Sequence, residues 1–198
     1  LKERGLSLKT IKKYKIGLAF NMWDDLVKKC KGKGYRRKSI EESGLFIKSK
    51  KGTFDRFRSR IMFPIHHLNG KTVGFGGRIF GSDDESKYMN SPETPLFQKG
   101  RILYGVSQAR ESSSQKKEII VTEGYMDVIA LAEAGITNAV APLGTALTED
   151  QINELWRLGK EPFICFDGDE AGLQAALRAA DRSLPILKPG HSLCCWSR

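Results

Sequence analysis

Long apolar runs are missing from this sequence: nowhere do about 18 hydrophobic residues follow one another, so no stretch is built to cross a bilayer as a helix. No charged-then-apolar leader stands at the start, and the expected location is the cytoplasm. Cysteine is scarce. Cys30, Cys165, Cys194 and Cys195 include no C-x-x-C pair, which excludes the usual zinc and thiol-redox spacings, so no zinc site is expected. A G-x-x-x-x-G-K-S/T loop is absent, which excludes a P-loop ATPase. Gly74-Phe-Gly-Gly-Arg-Ile79 fails as G-x-G-x-x-G, because Ile79 stands where the last glycine belongs; these glycines instead predict a bulge or close backbone approach inside a strand. The first residue is Leu1 rather than Met, so the chain reads as a piece of something longer.

Charge is plentiful and unevenly placed. The net charge is +10, but residues 1–115 hold 25 Lys and Arg against 11 Asp and Glu, whereas residues 116–198 hold 8 against 12. A basic part suits phosphate neutralisation, and an acidic part can gather carboxylates around a cation. The serine-rich stretch Glu111 to Lys117 lacks apolar periodicity and is taken as a domain boundary, separating a basic lobe (1–115) from a second domain (116–198).

Local patterns predict the elements. Ser7 caps a short helix expected to turn Leu8, Ile11 and Ile16 inward, and Asn69-Gly70 joins two apolar strands, Ile61 to Ile65 and Val73 to Phe80. In the second domain, strands Ile119–Thr122, Asn138–Ala141 and Phe163–Phe166 alternate with helices Tyr125–Ala134, one capped by the Thr148/Gln151 box, and Glu170–Arg182. Such a βαβαβα series implies a mainly parallel sheet flanked by helices, an α/β fold following a mixed α+β basic lobe.

Ligands bind open parallel sheets beyond the carboxyl ends of the strands. Glu123 directly follows the first of these strands, Asp127 lies about one turn further, and Asp167 and Asp169 follow the third. If the first and third strands are neighbours, these carboxylates meet and would repel unless a divalent cation sits among them. Magnesium suits such hard oxygen donors. An EF-hand starting at Asp167 fails, with Ala171 at the fifth position and Arg178 at the twelfth; Ala171 also removes the threonine of a D-x-D-x-T phosphatase.

Glu123-Gly-Tyr-Met-Asp127 with Asp167-Gly-Asp169-Glu-Ala-Gly172 resembles the toprim domain of primases, topoisomerases and some nucleases. Four further blocks resemble bacterial DNA primase: Asp55 to Ile65, Val73 to Arg78, Lys87 to Thr94 and Phe97 to Gly105. The resemblance covers about Glu3 to Leu193 and implies primer synthesis at replication forks from ribonucleoside triphosphates on a single-stranded DNA template. It implies Glu123 as acid/base, Asp167, Asp169 and Asp127 as ligands of magnesium (or manganese), and Arg4, Arg78, Lys87 and Lys99 as phosphate-binding residues of a groove. Family members also carry a zinc domain and a segment that binds the replicative helicase, neither visible here. Cys194 to Arg198 departs from the family where a further strand and an Asp-Pro-Asp motif are expected, so a sheet position should stand empty and the metal site should be incomplete. Two alternatives stay open: a remnant that binds nucleic acid without activity, and a toprim nuclease.

Overall fold

A computed structural model describes residues 5–50, 52–80 and 87–196. The chain forms two compact units, one of residues 15–65 and 72–98, the other of residues 5–14, 66–71 and 99–196. Among the described residues, no helix is long and apolar enough to cross a membrane.

The first, antiparallel unit holds α2 (Asp25–Gly32), α3 (Arg37–Glu42), a hairpin of β2 (Phe46–Ser49) and β3 (Gly52–Asp55), and a sheet of β1 (Gly17–Ala19), β4 (Arg60–His66), β5 (Thr72–Ile79) and β6 (Tyr88–Asn90) in that spatial order. Its core includes Val27, Ile40, Phe57, Phe63 and Phe97. The expected close approach at the glycines is present. A Cβ at Gly74 would lie 2.9 Å from the Phe97 ring, and one at Gly77 would lie 2.9 Å from Phe57. Helix α2 begins at Asp24, whose side chain makes no capping bond; the cap comes from the buried Asp55, which accepts from Leu26 N–H (2.8 Å) and Val27 N–H (3.0 Å). A residue 29 positions away thus satisfies donors that the helix cannot.

The second, parallel unit contains α1 (Leu8–Lys13), α4 (Val106–Lys116), β7 (Glu118–Val121), α5 (Tyr125–Glu133), β8 (Ala139–Val140), α6 (Glu149–Leu158), β9 (Glu161–Cys165), α7 (Glu170–Ser183) and β10 (Cys194–Trp196). The strands run parallel in the order β10-β9-β7-β8. Ile119, Val121, Val140 and Ile164 from the sheet pack with Val106, Ala109, Ile152, Leu155, Trp156 and Ala179 from the helices. The capping box is reciprocal: Thr148 Oγ1 accepts from Gln151 N–H, and Gln151 Oε1 accepts from Thr148 N–H.

Two expectations need correction, and one stretch conceals a helix. The stretch Glu111 to Lys117, which lacks apolar periodicity, is nearly all helical, the last part of α4. Val106, Ala109 and Ser113 form its buried stripe, and the Ser113 hydroxyl is satisfied by donating to the Ala109 carbonyl (2.9 Å), so a serine occupies a place where periodicity looks for an apolar residue. In α1, Ser7 does cap the helix, but Leu8 is 61% exposed; Ile11 and Ile16 are half-buried, and the fully buried residues are Leu6, Thr10 and Tyr14. The sheet position beyond β9 is filled, because Cys194 pairs with Phe163 and Trp196 with Cys165. Backbone ladder bonds can form with any non-proline residue, so departure from the family pattern does not stop this segment from pairing.

Candidate metal and nucleic-acid site

Because β7 and β9 are neighbours, with Val121 opposite Ile164, the residues that follow them emerge side by side. Glu123 Oε1 accepts from the backbone N–H of Asp167 at 2.8 Å, tying the two strand ends together. Asp127 is the third residue of α5; its Oδ2 accepts from Gly124 N–H at 3.0 Å. Asp169 caps α7, its Oδ1 accepting from Gly172 N–H at 2.8 Å. Gly172 has no room for a side chain. A Cβ there would sit 2.1 Å from the Asp167 carbonyl oxygen and 2.8 Å from Glu123 Oε1, so the first turn of α7 is packed directly on the acidic loops.

Packing around the Asp127 carboxyl raises its pKa above the usual carboxylate range; the Gly124 N–H works against this shift, and the negative charge of Asp167 adds to it. Such a group contributes stability that is fully present below the ordinary carboxylate pKa and lost as pH rises through the raised value. Asp127→Asn should therefore raise the melting temperature at neutral pH without divalent metal, since its side-chain oxygen can still accept from Gly124 N–H. An unchanged melt across the acidic range would show that Asp127 carries no such penalty.

The expected meeting of carboxylates is only partly realised. Glu123 reaches the Asp167 backbone, yet among the described residues no three acidic, His or Cys side chains form a group that could hold a metal. Three of the four carboxylates spend an oxygen on a backbone N–H. The donor set nonetheless fits magnesium, which takes hard oxygens, keeps several waters and is commonly held by one or two carboxylates plus substrate phosphates.

Of the basic candidates, Arg78 and Lys87 lie in the antiparallel unit, Lys99 lies in the parallel unit, and Arg4 falls outside the described residues. The Arg78 guanidinium sits 5.7 Å from the Tyr88 ring centroid. One cluster was not anticipated from the sequence. Trp23 stacks on Phe54 (centroids 4.3 Å apart), and the Arg58 guanidinium lies 4.9 Å and 5.2 Å from the two ring centroids. Trp23 is 61% exposed, so an aromatic face with a cation beside it is open to solvent. Phe54 and Arg58 are neighbours in sequence, but Trp23 is 31 positions from Phe54, and no periodicity links them.

A parallel α/β unit with acidic loops at its carboxyl edge, joined in one chain to a basic antiparallel unit, defines the class to which the comparisons give a name. Residues 1–110 match the family described as DNA primase catalytic core, N-terminal domain, and residues 117–193 match the toprim domain. The chain belongs to the DNA primase catalytic core family. It is 44% identical over 194 residues to the DNA primase of Escherichia coli K12, covering 98% of this chain and 33% of that protein. A crystal structure of a DNA primase domain from Pseudomonas aeruginosa superposes with a TM-score of 0.93 at 46% identity, covering all of this chain and 62% of that one. A DnaG primase catalytic domain bound to single-stranded DNA gives a TM-score of 0.92 at 42% identity, covering all of this chain and 62% of that one. The chain spans about a third of the length of the curated relatives it matches.

Proposed function

We propose that this chain is the nucleotidyl-transfer core of a bacterial primase, which joins ribonucleotides into a short RNA primer on single-stranded DNA. The observation that carries this reading is the contact between Glu123 and the Asp167 backbone at the carboxyl edge of adjacent parallel strands. Asp167 and Asp169, with Asp127 assisting, would hold magnesium or manganese. The chemistry a bound ion supplies is polarisation of the phosphoryl oxygen, activation of the attacking hydroxyl and neutralisation of the leaving pyrophosphate. Glu123 accepts the proton of the primer 3′-hydroxyl on Oε2, because Oε1 is held by Asp167 N–H.

Arg78, Lys87, Lys99 and Arg4 pair with template or nucleotide phosphates without reading bases. The exposed Trp23 face offers a stacking platform for a template base, with Arg58 beside it.

The deciding experiment incubates the chain with single-stranded template, labelled ribonucleotides and magnesium or manganese. Short RNA products are expected. Plasmid nicking without primers would instead establish the nuclease, and template binding without products would establish the remnant. Trp23→Ala should weaken binding of single-stranded DNA by about 1–3 kcal/mol at constant salt, measured by anisotropy; parent-like affinity would remove Trp23 from the interface. Lys87→Gln and Lys99→Gln should each lower the salt slope of log K by roughly 0.7, and an unchanged slope would count against their phosphate role.

A further inference from the structure

The amino-terminal edge of the parallel sheet, remote from Glu123 and Asp167, carries a second concentration of charge, in which the exposed Glu118 and Glu161 that open β7 and β9 oppose the basic residues beside them. A cleft of about 480 Å³ is walled by Arg110, Ser114, Lys117, Trp156, Arg157 and Lys160, and among the described residues no carboxylate lines it. Lys117 immediately precedes β7 and Lys160 immediately precedes β9, whereas Glu123 and Asp167 follow the other ends of the same strands. At about 3.3 Å per residue, the two edges are roughly 15 Å apart.

The two lysines are held together by packing. A Cβ at Gly159 would lie 3.0 Å from the Lys117 carbonyl oxygen and 3.2 Å from Glu118 Cα, so the turn leaving α6 rests on the start of β7. Lys117 itself is left-handed (φ 58°, ψ 24°), a conformation that residues with a Cβ adopt infrequently.

A second cleft, about 410 Å³, shares Trp156 and Arg157 with the first and adds Arg101, Lys188 and His191 together with the carboxylates Asp150 and Glu154. Its floor is the buried Trp156, stacked on His191 with centroids 4.8 Å apart and held by its indole N–H donating to the Ser192 carbonyl. Within this cleft, Glu154 Oε1 and His191 Nδ1 are buried with no hydrogen-bond partner among the described residues. Buried polar atoms of this kind call for a partner; Glu154 Oε1 can only accept and calls for a water or other donor, whereas His191 Nδ1 can donate to a phosphate oxygen.

Opposing charges are present. Glu154 pairs with Arg157 and Asp150 with Arg101, both at 2.9 Å. Helices α4 and α6 also end at the first cleft, each opposing an anion with about half a charge. Arg110, Lys117 and Lys160 outweigh these terms there, with no carboxylate among the lining residues.

We propose that the joined clefts hold the sugar-phosphate backbone of a nucleic-acid strand, as a binding track separate from the carboxylate edge. Arg110, Lys117 and Lys160 in the first cleft and Lys188 in the second, with Trp156 and Arg157 lining both, suit successive phosphates better than one small anion. A docked protein would need an apolar anchor, and the aromatic residue here is a buried floor rather than an exposed knob. The inference rests on the nucleic-acid reading of the protein but not on primer synthesis.

The test is anisotropy of a fluorescein-labelled oligothymidylate of about 30 nucleotides, long enough to span more than one site, titrated into the full chain over a range of salt. One variant combines Arg110→Gln, Lys117→Asn and Lys160→Gln, asparagine being tolerant of the left-handed conformation. A second combines Arg78→Gln, Lys87→Gln and Lys99→Gln. The first variant should lose several-fold in affinity and show a salt slope smaller by about 2, for three phosphate contacts. Parent-like affinity and slope in the first variant overturn the proposal, whatever the second shows. Weakening in the first but not the second keeps the track and overturns the phosphate roles proposed for Arg78, Lys87 and Lys99. If a decaglutamate peptide binds the parent but not the first variant while DNA binding is equal in both, the occupant is acidic protein and the proposal falls. Should the first variant melt early, 4-thiothymidine crosslinking on the parent decides. Crosslinks in peptides containing Lys117 or Lys160 support the track, and their absence overturns it.

Discussion

Glu123→Gln is expected to lower the rate of primer synthesis by about 10²–10⁴-fold, the usual contribution of a positioned acid or base, while leaving the fold intact. Glutamine keeps the side-chain oxygen that accepts from Asp167 N–H at 2.8 Å, so the link between the two strand ends survives. What disappears is the negative charge and the capacity to take a proton. Incorporation of labelled ribonucleotide, compared at matched template occupancy, measures the first effect, and a thermal melt measures the second. A parent-like rate would remove Glu123 from proton transfer. A large drop in melting temperature would show that the carboxylate is needed for structure rather than chemistry.

Gly172→Ala should damage both the fold and the site. The new methyl group would fall 2.1 Å from the Asp167 carbonyl oxygen and 2.8 Å from Glu123 Oε1. A flexible side chain could swing aside, but a backbone carbonyl in the short loop between β9 and α7 cannot without moving that loop. Overpacking of this sort costs about 1–3 kcal/mol, occasionally more, which for a chain of this size corresponds to a melting temperature lower by roughly 2–12 °C. Either α7 shifts outward, taking Asp169 with it, or the loop carrying Asp167 shifts and breaks the bond to Glu123. A displacement near 1 Å is enough to lower primer synthesis about 10²-fold. Gly32→Ala is the control, because its Cβ meets nothing within 4 Å at a backbone angle alanine adopts freely. It should melt at or slightly above the parent temperature. Parent-like stability and activity in Gly172→Ala would mean that the α7 contact is looser than it stands here.

Much of the parallel unit was legible because its signals are local. Thr148 and Gln151 satisfy one another's backbone groups within a single turn, and Asp169 does the same for the first turn of α7, so these starts follow from three or four residues. Helix α4 was hidden because Ser113 occupies a buried position and meets its hydrogen-bonding need inside the helix, which a count of apolar residues cannot register. The cap on α2 and the stack of Trp23 on Phe54 were hidden for a different reason. Their partners are about 30 positions apart, and only the fold brings them into contact.

The sequence alone determined that acidic residues stand at the carboxyl ends of apolar strands, because the strand and the carboxylate after it are adjacent in the chain. The chain order of those strands is β7, β8, β9, but in space β8 lies on the far side of β7 and β9 lies directly beside it. Periodicity reports which face of a strand is buried and nothing about which strand lies next to it. Had β8 been inserted between them, the ends of β7 and β9 would stand about 10 Å apart, two strand spacings, and Glu123 would not reach the Asp167 backbone. The tertiary structure decided that the ends of β7 and β9 lie side by side, close enough for Glu123 to bind the Asp167 backbone.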